Sequence, residues 1–346
     1  MRSFQDPSTL DPVPGVIVAL LRRIDLAAGR HAISLDQLPQ LLDALRHHAR
    51  VESVTASSAI EGVVVEAQRA PGLLAGRTSR VRNRSEAEFA GYRTALDYLY
   101  AGDPGDLSVG LVLHLHRQLF SYTESDGGRF KSTDNLVVDQ VGDTRRLRFT
   151  PVSTRETPWF TEELVVRTHQ ALTEGLHHPL LVITAFVLDL LCIHPFDDGN
   201  GRVARLATTH LLDRSGYGVG RYVSIEQLLF DTRTGYYDAL ARSTVGWSPD
   251  GRHSLWPWAE YLLGQMAVAY ERFEASVVDS TWGGTKQDRV RDFVLTHAPV
   301  DFTIADIRRA LPGVSDNTIR LVLTELRRRG GISVDGTGRN ARWRRE

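Results

Sequence analysis

Apolar residues recur at helical spacing through 16–27, 35–60, 86–100, 107–120 and 161–177, and breaks rich in Gly, Pro and Asp at 101–106 and 124–128 part some of them. Residues 179–193 are apolar almost throughout, with Asp189 their one charge, which predicts a buried helix too short to span a bilayer. Residues 202–214 carry Val203, Leu206, Ala207, Leu211 and Leu212 at helical spacing, and Gly216 supplies a stop. A further long helix is predicted over 255–278, after the polar stretch 247–252. The pattern is mostly α, with no internal repeat.

Strand signals are confined to two places. Leu136-Val137-Val138-Asp139 and Leu147-Arg148-Phe149-Thr150-Pro151 flank the polar run 140–146, whose Gly-Asp pair suits a turn, and together they predict a β-hairpin. Near the end, after a linker at 282–285, helices are expected at 287–296, 302–311 (closed by a Pro-Gly turn) and 315–329, stopped by Gly330-Gly331. Short strands at 332–334 and 341–343, paired around 336–338, complete a pattern that resembles a winged helix-turn-helix, with Ser315 as N-cap of the candidate recognition helix. The organisation read from these signals is an N-terminal helical segment (1–89), a core (90–245), a helical connector (246–284) and a winged helix-turn-helix (285–346).

Composition adds limits. The chain has 346 residues, 42% of them hydrophobic, ample for cores and ordinary for a soluble protein. Cys192 is the single cysteine, so no internal disulfide forms, and its place in the apolar helix predicts a buried thiol. The N-terminus lacks the charged-then-apolar order of a signal peptide, and the cytoplasm is the expected compartment. Net charge is −1 but uneven: 285–346 hold 13 basic and 8 acidic residues. Only Lys131 and Lys286 are lysines.

The chemistry is concentrated in His194-Pro-Phe196-Asp-Asp198-Gly199-Asn200-Gly201-Arg202-Val-Ala-Arg205. This passage is a loop that ends at a helix N-terminus. There Gly199, Asn200 and Gly201 let backbone N–H groups approach an anion at the positive end of the helix dipole. Arg202 and Arg205, three apart, share a face and offer forked donors to phosphate oxygens. Asp198 is a hard carboxylate suited to Mg²⁺. His194, before Pro195, is turned out of the helix and is a candidate general base. Phe196 is an apolar peg. Taken singly, these residues also read as a helix cap, an ordinary turn and a solvated arginine face.

The passage resembles the signature of the Fic family, HxFx[D/E]GNGRxxR, at His194, Phe196, Asp198, Gly199, Asn200, Gly201, Arg202 and Arg205. The resemblance implies a Fic-type helical core with a β-hairpin flap, and transfer of AMP from ATP to a Tyr, Ser or Thr hydroxyl of a protein. His194 would deprotonate the hydroxyl, Asp198 hold Mg²⁺, Gly199 to Arg202 bind the α- and β-phosphates, and Arg205 meet the γ-phosphate.

Ser57-x-x-x-Glu61-Gly62 resembles the family's inhibitory helix, which implies that Glu61 pairs with Arg205 where the γ-phosphate would be held; a local helix cap is the other reading. The 136–151 hairpin resembles the flap that adds a target segment as an extra strand, and Leu136 and Val137 are counted with the nucleotide-contacting residues; a plain surface hairpin is the alternative. Thr234-Gly235-Tyr236-Tyr237-Asp-Ala-Leu240 resembles a stretch whose tyrosines lie near the base, one of which could be core. Thr244 stands where many relatives carry asparagine.

ATP and Mg²⁺ are thus the expected cofactors. The expected partner is a protein substrate, the chain itself included, with no membrane; a homodimer is left open. Asn317, Thr318 and Arg320 are candidates for a DNA major groove, and Arg339, Arg342, Arg344 and Arg345 for phosphates, unless that surface makes a docking or dimer contact. Two alternative functions stay open: a hydrolase that removes AMP, with Glu61 orienting water, and a nucleotide-sensing DNA-binding regulator.

Overall fold

A computed structural model describes residues 12–34, 39–78, 81–141, 144–247, 253–281, 285–311, 314–336 and 341–345. The expected linker at 282–284, the Gly142-Asp143 and Pro312-Gly313 turns, residues 337–338 and Arg339 lie outside the described residues. The described parts of 1–25, 52–218 and 225–267 form one compact unit, and those of 26–51, 219–224 and 268–346 another.

The first half of the chain holds α1 (Gly15–Ser34), α2 (Pro39–Ile60), α3 (Ala70–Leu74), α4 (Arg84–Ala101) and α5 (Val109–Leu119), then the hairpin strands β1 (Val137–Val141) and β2 (Thr144–Phe149). There follow α6 (Thr157–Glu174), α7 (Pro179–Ile193), α8 (Asn200–Arg214), α9 (Ile225–Asp231), α10 (Arg233–Thr244) and α11 (Trp256–Thr281). The mostly α reading holds. Helices α3, α9 and α10 have no helical counterpart in the sequence reading; α3 and α9 are too short to develop a periodic signal, and α10 is read there only for its tyrosines.

Helix starts follow local chemistry. Asn83 and Ser108 accept from the backbone N–H of Glu86 and Leu111 and cap α4 and α5. Gly175, left-handed at φ 65°, ends α6. Helix α7 starts on Pro179, whose missing N–H costs nothing there. Apolar all round, it is buried almost all round. Asp189, fully buried within it, accepts from the Trp247 indole N–H at 2.6 Å, and the Trp258 indole donates to the Thr184 carbonyl at 3.1 Å. Those bonds satisfy polar groups that burial would otherwise penalise. Among the described residues no helix is long and apolar enough to cross a membrane.

The 285–345 region begins with α12 (Lys286–Asp292), which runs into a π turn over Phe293–His297, and continues with β3 (Asp301–Phe302), α13 (Ile304–Ala310), α14 (Asp316–Arg328), β4 (Ile332–Asp335) and β5 (Arg342–Arg345). The strands form an antiparallel sheet in the order β3-β5-β4. Thr285 with Asp288 and Thr303 with Asp306 make reciprocal capping boxes. Ile319, Val322, Leu323 and Leu326, at helical spacing, turn one face of α14 into a core with Val290, Phe302 and Ile307.

Candidate active site

The loop between α7 and α8 gathers the signature residues. His194 closes α7 with φ 53°, the one positive φ outside glycine among the described residues. Its backbone N–H reaches the Leu190 carbonyl at 3.0 Å, and its Nδ1 lies 3.3 Å from the Leu191 carbonyl. A carbonyl only accepts, so the proton sits on Nδ1 and the free lone pair on Nε2. Burial, partly opposed by that hydrogen bond, holds the imidazole's pKa down at about 4. It is therefore neutral at pH 7, with its Nε2 lone pair available to accept a proton.

Asn200 spans the turn. Its amide donates to the Phe196 carbonyl at 2.8 Å and accepts from the Phe196 N–H at 2.9 Å, so this side chain braces the loop and leaves its backbone for an anion. Gly199 caps α8 at φ 81°, and a Cβ there would lie 2.8 Å from Leu119 Cδ2 and 2.9 Å from Phe120 Cε2. Conformation and space both demand glycine. At Gly201 a Cβ would come within 2.2 Å of Glu61 Oε1. The Glu61 carboxylate thus lies directly against the first turn of α8.

Arg205, 5% exposed, is gripped from α2. Its Nε donates to Ser57 Oγ at 2.8 Å, and one terminal nitrogen donates to the Ser57 carbonyl at 3.0 Å and to Glu61 Oε1 at 2.8 Å. Its other terminal nitrogen is buried and has no hydrogen-bond partner among the described residues. Arg202 is engaged differently. It forms a buried ion pair with Glu88 of α4, lies 3.4 Å from Asp198 Oδ1, and stacks over the Phe120 ring.

Asp198 is half exposed. Oδ1 accepts from the Gly199 N–H at 2.6 Å, and Oδ2 accepts from Arg84 at 2.7 Å. Arg84 also pairs with Glu88. Among the described residues no cluster of three or more His, Cys, Asp or Glu side chains offers a complete metal cage. A lone hard carboxylate of this kind fits Mg²⁺ that takes its remaining ligands from phosphates and water.

Tyr236 is 4% exposed, edge-on to Tyr237, Trp258 and Tyr261, and its hydroxyl is pushed up to about 12, chiefly by burial. It is a core residue beside Arg205. Tyr237 is partly exposed and donates to the Ile60 carbonyl at 3.3 Å. Leu136 is exposed just before the flap, and Val137 opens β1, paired with Phe149. A cavity of about 320 Å³ lined by Asp103, His210, Asp213 and Arg214 lies at the far end of α8 and contains none of the signature residues.

Several groups escaped the sequence reading. His116 on α5 accepts from the Gly128 N–H at Nδ1 (2.8 Å), which puts its proton on Nε2, 3.2 Å from the Asp198 carbonyl. Its ring stacks on Phe196 with centroids 3.8 Å apart. Burial lowers its pKa to about 4 as well. Glu88, Arg84 and Lys131 are the others. Glu88 stands in a helix between Ala87 and Phe89, which lie on other faces and give no signal of its burial.

Residues 106–212 match the model of the Fic/DOC family. The chain is 23% identical over 218 residues to Protein adenylyltransferase fic-1 of Caenorhabditis elegans, covering 60% of this chain and 37% of the relative. It is 28% identical over 208 residues to Protein adenylyltransferase Fic of Drosophila grimshawi, covering 54% and 40%. The chain thus spans well under half the length of these relatives. In fold it is similar to a Fic family protein from Desulfovibrio desulfuricans, with a TM-score of 0.62, 22% identity, and coverage of 96% of this chain and 97% of that one.

Proposed function

We propose, on the premise that residues 106–212 are a Fic-family domain, that the chain moves AMP from ATP to a protein hydroxyl and is held in check by its own Glu61. His194 Nε2 takes the proton of the attacking hydroxyl, whose oxygen bonds to the α-phosphorus while the bond to the pyrophosphate oxygen breaks. Backbone N–H groups at the start of α8 hold the negative oxygens. Asp198 would hold Mg²⁺, which supplies charge neutralisation on the phosphates. Tyr237, partly exposed, is the tyrosine of the pair available to an adenine ring, and the hairpin offers a strand edge to the target.

One observation carries the self-inhibition: Glu61 Oε1 sits 2.8 Å from Arg205 and against Gly201, where a terminal phosphate would need the same guanidinium. Glu61→Gly is expected to raise incorporation of α-labelled ATP into protein, and His194→Ala to abolish it in that background. Transfer of γ-label without α-label overturns the adenylyl reading in favour of a kinase.

A second reading uses the same carboxylate to orient water for removal of AMP from a modified protein; release of AMP that Glu61→Gly abolishes would favour it. A DNA contact through 285–346 rests on the outer face of α14, where Asn317 and Arg320 are exposed. Arg344 is paired with Asp301 and Arg345 with the Leu295 carbonyl, so Arg342 is the better candidate for phosphate. Loss of duplex binding on deleting 285–346, with transfer intact, tests this.

A further inference from the structure

Lys131 stands out in a chain whose positive charge is otherwise almost all arginine. It is 2% exposed, and its Nζ donates to Asn135 Oδ1 at 3.1 Å, the Val152 carbonyl at 2.6 Å and the Ile193 carbonyl at 3.3 Å. Three acceptors match the three protons of an ammonium; a neutral amine would turn a lone pair toward one of these oxygens. The chain's commoner cation would not fit the same role, because a planar guanidinium cannot converge on three oxygens from one nitrogen.

The three oxygens come from separate stretches. Asn135 lies just before β1, Val152 just after β2, and Ile193 is the residue before His194. Neighbouring bonds run alongside: the Lys131 N–H donates to the Pro195 carbonyl at 2.8 Å, the Asn135 amide to the Phe196 carbonyl at 3.1 Å, and the Ser132 N–H to Asp197 Oδ2 at 3.3 Å. Residues 131–135 are thereby laced to 193–197. The left-handed conformation of His194 persists only where its surroundings enforce it, and this lacing is part of them.

We propose that Lys131 is a positioning residue for the transfer reaction, its buried ammonium locking both feet of the hairpin and the turn that carries His194 into one piece. The proposal rests on the reading of His194 as the base. A fixed positive charge beside the imidazole also opposes a second one on it. Among the groups facing His194, Lys131 disfavours its protonation, while the Leu191 carbonyl, Glu61 and Asp198 favour it.

The test uses the full chain with ¹⁵N-labelled histidine. In Lys131→Met the His194 signals are expected to titrate about one pH unit higher than in the parent. In the Glu61→Gly background the same change is expected to lower kcat about tenfold, with KM for Mg-ATP little altered, as loss of base positioning predicts. An unchanged His194 titration together with an unchanged kcat overturns the proposal. If Lys131→Met fails to fold, Asn135→Asp keeps the lysine and sets a carboxylate on its ammonium. It too is expected to raise the His194 titration, and no shift there overturns the proposal. Absence of transfer by Glu61→Gly itself would count against the adenylyl reading alone, because the histidine titration needs no turnover.

Discussion

Both arginines of the α8 start end on a carboxylate from earlier in the chain, Glu88 on α4 and Glu61 just past α2, yet the two pairs differ in exposure. Glu88 is 3% exposed and holds Arg202 and Arg84 together, while the Glu61 side chain is 31% exposed and reaches Arg205 through one oxygen. Removing a partner from a buried pair strands a charge in a dry interior. Removing a partner from a half-open pair leaves a guanidinium that another anion can claim. The first pair fixes the loop, and under the proposed function the second is the one that a phosphate would displace.

The largest contrast is expected in stability. Glu88→Ala should cost about 3–5 kcal/mol in urea unfolding. Glu61→Gly should cost no more than about 1 kcal/mol, since the Glu61 end of that pair is open to solvent and Ser57 still holds Arg205. Equal losses would erase the distinction. Activity should respond the other way round: about tenfold more AMP transfer for Glu61→Gly, the equivalent of one charge-assisted hydrogen bond, and no gain for Glu88→Ala.

A smaller effect concerns pH. His194 and His116 both titrate near 4 in the folded chain, below the value of about 6.5 for an unfolded histidine. Between these values the unfolded state binds more protons. The contribution of each is therefore complete above pH 6.5 and is lost as pH falls through 6.5 toward 4. Unfolding midpoints measured from pH 7 to 4.5 should fall, and His116→Phe, which keeps a ring against Phe196, should flatten the slope. A slope unmoved by that change contradicts the assignment.

The smallest effect is expected at Arg84, which reaches Asp198 from an exposed position. Arg84→Ala should alter stability by less than about 0.5 kcal/mol. In the Glu61→Gly background it should lower the Mg²⁺ concentration for half-maximal transfer about twofold, as a weak exposed competitor would. A raised requirement would instead mean that Arg84 helps hold the phosphates.

The legible parts of this site are those written locally. The apolar run 179–193, the glycines 199 and 201, and the Ser57 and Glu61 pattern are each readable within a few residues, and the structure brings Ser57, Glu61 and Gly201 together around Arg205. Glu88, Arg84, His116 and Lys131 were not legible, because their roles exist only after α4, α5 and the hairpin's feet meet the loop. Glu88 on a helix reads as a solvated charge until its neighbours are known to be buried. Arg202, read as a phosphate ligand, also pairs with Glu88, a contact set by tertiary packing that no spacing reveals.

The central claim, that Glu61 and the terminal phosphate compete for Arg205, is tested most directly by calorimetry of Mg-ATP and Mg-ADP binding to the parent chain and to Glu61→Gly. The expected result is a gain of about tenfold or more in affinity for ATP on removing the carboxylate, with little change for ADP. An equal gain for both nucleotides, or none for either, would contradict it.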